Sequence, residues 1–216
     1  MLPASVKTIA ARAFYDCEQL RSVELSEGLE VLGRRECMGD DTLGSNVFAK
    51  SAIESIKFPS TLRVIGVSCF AQCTRLRRVE FSEGLERIDE DAFQETAIES
   101  VLLPSSLRKL GQSAFSWCDN LKSAVVNEGL EVLGTDRQFC DAHQYSGVFE
   151  GSTLQSIQLP STLKRIVRDA FRDCENLTEV HLPDGLEVIE KSAFRNSGIK
   201  EIELPRALKE VGEQAL

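Results

Sequence analysis

Histidine is nearly absent from this chain. Only His143 and His181 occur in 216 residues, which leaves little scope for acid–base catalysis built on imidazole. The sequence also lacks a Gly-rich phosphate loop, a nucleophile elbow and a Ser/His/Asp set. Neither catalysis nor a cofactor is expected. An excess of positive charge is missing too: 25 Lys and Arg stand against 34 Asp and Glu, for a net charge of −9, and no basic stripe interrupts that balance. Such a surface repels phosphate backbones and anionic headgroups, so nucleic acid is not an expected partner. No apolar run approaches the roughly 18 residues of a membrane span, and Met1 to Ala11 lacks the regions of a signal peptide. The chain is expected to be soluble, without insertion into a membrane. It starts and stops inside its own pattern, so an export signal could have been removed. A cytoplasmic and a surface or secreted location both stay open.

What the chain has in abundance is repetition. Segments beginning at Leu2, Leu25, Phe58, Phe81, Leu103, Val126, Leu159, Leu182 and Leu204 share one pattern, with an aliphatic residue at the eighth place and then, in all but the last, a Phe. All six prolines fall at the second place of a unit. Eight of the 11 phenylalanines (Phe14, Phe48, Phe70, Phe93, Phe115, Phe149, Phe171 and Phe194) share the Phe landmark. These positions are expected to be core. A second period overlies the first: Cys17, Cys73, Cys118 and Cys174 alternate with Ser51, Thr96, Ser152 and Ser197. Units two and six each carry about eleven extra residues. The pattern of 2–102 therefore recurs in 103–203, as two four-unit blocks, followed by a partial unit 204–216.

The run Leu-x-x-Val-x-Leu, as in Leu76 to Phe81, has the alternation of a strand with one buried face. A turn, a shorter extended piece such as Leu62 to Ile65, and a tight helical or irregular return complete one coil. One coil cannot enclose its own Leu, Ile and Phe, so neighbours must stack in a single solenoid. Register is marked by charge: the sixth place reads Lys7, Glu30, Arg63, Glu86, Arg108, Glu131, Lys164, Glu187, Lys209, alternating in sign throughout. Parallel strands would set these about 4.8 Å apart, where opposite charges gain roughly 0.2–1 kcal/mol per pair. One continuous ion-pair ladder is expected.

Laid out as L-P-x-x-L-x-x-I-x-x-x-A-F-x-x-C, the units resemble the BspA-like leucine-rich-repeat family. Leu159 to Ile166, Ala170-Phe171 and Cys174 to Leu177 match closely, and the likeness covers essentially the whole chain. The resemblance implies a curved or twisted parallel-strand solenoid for protein recognition, with many members acting as adhesin-like modules at cell surfaces. The expected fold is an α/β-type repeat solenoid, mostly β. It is a right-handed stack of about nine leucine-rich repeats, with a parallel sheet, short second strands and short helical turns.

Cysteines two coils apart lie at least about 9 Å from each other, beyond the roughly 7 Å Cα separation that a disulfide tolerates. Cys17, Cys73, Cys118 and Cys174 should be unbridged. Cys69 and Cys73 have the spacing of helix neighbours and are expected to be packed thiols. Cys140 and His143 offer only two ligands, and no metal is expected. Glu-Gly-Leu-Glu turns read as a solvated edge. Two surfaces are candidates for a protein partner. The first is an outward strand row in which Leu102 and Val125 are apolar beside Gln158 and His181, flanked by a flat row of serines. The second is the insertion 135–147, whose Phe139, His143 and Tyr145 are interface-type side chains. The alternative to a protein-binding module is a structural spacer that associates end to end.

Overall fold

The computed structural model describes residues 3–33, 44–135 and 147–216. Two rows of short parallel strands run along the stack. The second extended pieces form β1 (Thr8–Ile9), β2 (Val31–Leu32), β4 (Val64–Ile65), β6 (Arg87–Ile88), β8 (Lys109–Leu110), β10 (Val132–Leu133), β12 (Arg165–Ile166), β13 (Val188–Ile189) and β14 (Glu210–Val211). The Leu-x-x-Val-x-Leu runs form β3 (Ser55–Lys57), β5 (Arg78–Glu80), β7 (Ser100–Leu103), β9 (Ser123–Val126) and β11 (Ser156–Gln158). The orders are β1-β2-β4-β6-β8 and β10-β12-β13-β14 in one row, and β3-β5 and β7-β9-β11 in the other. Pairing is interrupted between β5 and β7 and between β8 and β10.

Equivalent residues sit directly over one another. Ile9 pairs with Leu32, Leu32 with Ile65, Ile65 with Ile88, and Ile88 with Leu110. The eight landmark phenylalanines form one column with neighbouring ring centroids between 4.9 Å (Phe14 and Phe48) and 5.7 Å (Phe149 and Phe171). Phe58 and Phe81 meet the column edge-on at Phe70 and Phe93. The buried side chains from Ile9 to Ala215 make one continuous cluster. A fully buried Phe contributes roughly 1.5–3 kcal/mol by leaving water, so the column is one of the apolar ties between coils, beside the stacked Leu and Ile.

The expected helical turns are not formed. Among the described residues there is no helix, and the return past each Phe is a chain of tight turns. The reason lies in where the backbone donors go. A helix would bond the N–H of Phe70 to Gly66; instead it donates to Ala92 of the next coil at 2.8 Å, with Ser68 and Gln72 donating likewise to Glu90 and Gln94. Reaching across requires left-handed residues two before and two after the Phe, such as Ser68 (φ 55°) and Gln72 (φ 59°) around Phe70 and Asp169 (φ 57°) and Asp173 (φ 57°) around Phe171. Each non-glycine residue there costs on the order of 1–2 kcal/mol. The inter-coil bonds, at about 0.5–1.5 kcal/mol each, and the burial of Phe offset it. The molecule is thus a mostly-β parallel solenoid of about eight turns. The unit that starts at Leu204 adds β14 and brings no Phe to the column.

The second period also acquires a physical cause. The thiol of Cys73 donates to the Phe48 carbonyl at 3.0 Å and lies 3.5 Å from the Ser51 hydroxyl. Cys118 does the same with Phe93 and Thr96, and Cys174 with Phe149 and Ser152. Small hydroxyl and thiol residues therefore alternate because each thiol satisfies a carbonyl and a hydroxyl of the coil before it. Cys17, Cys69, Cys73, Cys118 and Cys174 are all free.

Candidate functional site

The strand face is built where β7, β9 and β11 run in register. Alternation turns Val101 and Leu103 into the core and leaves Ser100 and Leu102 outside. Leu102 pairs with Val125, and Val125 with Gln158. Leu102 is 60% exposed, the highest value among the exposed large apolar side chains of the described residues; Val125 is half-buried and Gln158 exposed. Ser100, Ser123 and Ser156 form a second register row beside them. The result is a shallow apolar spot bordered by small hydroxyls, with the Lys57–Glu80 ion pair (3.4 Å) on the neighbouring strands. His181 is not brought into this group by strand pairing; its Nε2 lies 3.2 Å from Glu179 Oε1 on the same exposed segment.

The charged row is stacked through its backbone in two runs, Lys7, Glu30, Arg63, Glu86 and Arg108, then Glu131, Lys164, Glu187 and Lys209, divided where β8 and β10 do not pair. Glu86, for instance, donates its N–H to the Arg63 carbonyl and accepts at its own carbonyl from Arg108. Direct side-chain ion pairs close at the two ends, Lys7 with Glu30 at 3.3 Å and Lys209 with Glu187 at 2.7 Å. The Lys209 contact holds the Glu187 carboxyl below its usual range. In between, the cations turn to carbonyl oxygens: Arg63 donates to Gly84, Arg108 to Ser105 and Lys164 to Gly185. A turn carbonyl is the nearer acceptor for these heads, so sign alternation in the sequence does not by itself fix the pairing.

Phe139, His143 and Tyr145 lie outside the described residues, as do Cys140 and most of the first insertion. Among the described residues no group of three or more His, Cys, Asp or Glu side chains could hold a metal ion. No helix among them is long and apolar enough to cross a membrane.

Two features escaped the sequence. The Glu-Gly-Leu turns are docked rather than merely solvated. Glu83 accepts hydrogen bonds from the N–H and hydroxyl of Ser105 and from the N–H of Ser106, while Gly84 donates to the Ser106 hydroxyl. Glu27 grips Ser60, and Glu128 grips Ser161 and Thr162, in the same way. These bonds lower the pKa of all three carboxyls. The available signal was the alternation of acidic turns with Ser- and Thr-bearing turns through the first eight units. The other feature is Trp117, the single tryptophan of the chain. It stands 44% exposed in a place where other units carry polar residues or glycine.

A sequence profile of the BspA type leucine-rich repeat region matches residues 1–36, 41–140 and 144–216, in six copies. Among solved structures, the pneumococcal vaccine antigen PcpA is similar with a TM-score of 0.58 at 24% identity, over 99% of this chain and 58% of that one. A leucine-rich repeat protein from Eubacterium ventriosum ATCC 27560 is similar with a TM-score of 0.61 at 17% identity, over 98% of this chain and 58% of that one. The chain thus spans 58% of the length of each, and the likeness is one of fold. No curated protein matches it.

Proposed function

Because the chain belongs to the BspA-type leucine-rich-repeat family, we propose that it is a non-catalytic scaffold that binds a protein partner through the face of β7, β9 and β11. Leu102 is the observation that carries this reading. A leucine 60% exposed on an in-register strand, in contact range of Val125 and bordered by flat serines, gives a partner a small apolar anchor on a rigid surface. The polar surroundings keep the spot small enough for a soluble monomer and supply a hydrogen-bonding rim.

The test compares proteins retained by the immobilised chain with those retained by the Leu102→Asp/Val125→Asp double variant and by a variant lacking 136–146. Loss of a retained protein in the double variant alone supports the strand face. Equal retention by all three removes both surfaces from consideration.

A further inference from the structure

We propose that the hollow beside Trp117 is a binding site for a cationic side chain, an arginine or lysine presented by a protein partner. It deepens the recognition function above, on which it rests only in taking the cation to be carried by a protein.

The hollow has a volume of about 680 Å³ and is lined by Trp117 together with Gln94, Glu95, Asp119, Asn120, Glu150 and Arg172. Its ring is positioned by an unusual pairing of residues. Trp117 holds the left-handed place two residues after its Phe (φ 56°), where other units have Asp16, Lys50, Gln72, Glu95, Asp173 and Asn196. The unit that follows has Gly151 at the same place. A Cβ on Gly151 would come within 2.5 to 2.7 Å of the indole ring. Only glycine lets the ring lie against the next coil, and 44% of the residue still faces solvent. A tryptophan needed merely as filler would be covered by its neighbours; this one is supported from below and left open.

The charge around the ring selects the ligand. Three carboxylates line the hollow against one guanidinium, and that guanidinium is shared among Asp173 at 3.4 Å and Asp169 and Glu150, each at 3.9 Å. Glu95 receives a single amide bond from Gln72 at 3.2 Å. Asp119 makes no hydrogen bond or ion pair among the described residues. Glu150 is only 6% exposed; one of its oxygens accepts from the Gly147 N–H at 2.8 Å, and the other has only the distant Arg172. Burial pushes the Glu150 pKa up, with Asp169 adding to the rise.

An arginine or lysine head would meet both demands. It sits favourably over an indole face and forms charge-assisted bonds with carboxylates. A neutral sugar could stack on the ring but would leave the carboxylates unbalanced. The net charge of −9 adds long-range attraction for a basic partner.

The single tryptophan makes the test direct. Its fluorescence is titrated with acetyl-arginine amide and acetyl-lysine amide, with acetyl-glutamine amide and cellobiose as neutral probes. A saturable change with one of the cations, weakening as salt rises through the range that screens exposed charges, is the expected result. In Glu95→Gln/Asp119→Asn, both sites being exposed, melting should be unchanged and affinity about tenfold lower. In Trp117→Leu, followed through the probe's own NMR lines, binding should be lost. No saturable response to either cation, an equal response to glutamine amide, saturation by cellobiose alone, or unchanged affinity in the carboxylate variant would each overturn the proposal. The Leu102→Asp/Val125→Asp variant should bind the probes normally, so failure of the strand face and failure of this hollow are separable.

Discussion

Glu83 closes on Ser105 of the following coil with both carboxylate oxygens, 3.2 Å to the N–H and 3.1 Å to the hydroxyl. The same geometry joins Glu27 to Ser60 and Glu128 to Ser161. Coils are thus clamped in pairs at this edge, which is where the acidic turns of the sequence find their purpose.

Removing the hydroxyl half of such a clamp should be measurable. Thr162 accepts from Gly129 N–H at 3.1 Å and donates to the Leu130 carbonyl at 3.0 Å. Thr162→Val keeps the shape and deletes both bonds, so chemical denaturation should show a loss of about 1–2 kcal/mol. Gly129 has φ 112°, so Gly129→Ala should destabilise through backbone strain even with the clamp residues intact.

Stability should rise as pH falls from 7 toward 5. Burial lifts the Asp89 pKa to about 6, although Arg87 stands 3.0 Å away and Lys109 4.0 Å away. Asp91 is likewise lifted to about 6, mainly by burial. A carboxyl whose folded pKa is raised binds its proton more tightly when folded, so its contribution is full below about pH 3.8 and is lost as pH rises through 6. The clamp carboxyls have lowered values and act oppositely, losing their contribution only below about pH 4.5. The melting temperature should therefore peak near pH 5, and Asp89→Asn should flatten the slope between pH 5 and 7.

Position along the aromatic column should set the cost of opening it. Phe93 is fully buried between Phe70 and Phe115 at 5.2 and 5.3 Å, and Phe93→Ala should cost about 3–5 kcal/mol. Phe14 is half-buried with one stacking neighbour. Phe14→Ala should cost less and raise amide exchange only in the first coils, because each coil depends on its nearest neighbours.

Thiol labelling should separate folded from unfolded protein. Burial raises the pKa of Cys118 to about 11 and of Cys69 and Cys174 to about 12, and shifts Cys73 upward as well. The thiolate is the reactive form, so at neutral pH these four should resist an aromatic disulfide reagent until denaturant is added. Cys17, half-buried, should react ahead of them. Rapid native labelling of Cys118→Ser and of the parent to different extents would show that the buried thiol is accessible after all.

The residues that had to enclose a shared interior were legible one by one. Phe70, Phe93 and Ile88 lie where their places in the unit put them, because an apolar side chain repeated at one position can be buried only by its copy in the next coil. The spacing of Cys69 and Cys73 misled for a related reason. Four residues is helical spacing, yet the same interval turns here through the left-handed Gln72, and the N–H groups of Phe70 and Gln72 donate to the next coil. The left-handed places are filled by Arg, Asp, Lys, Ser, Gln, Glu and Trp alike, so composition gives no warning. Arg63 and Arg108 show the same limit for charge, since their alternation with Glu86 was plain while their choice of carbonyl partners was not.

The sequence by itself determined the period of the coils, their register and the residues of the core, since burial of a repeating apolar side chain depends only on its place in the unit. Tertiary structure alone decided the left-handed return turns, the clamps between paired coils and the hollow that opens beside Trp117. Each of these is a choice of partner by a polar group or a ring, and the partner exists only once the next coil has been laid down.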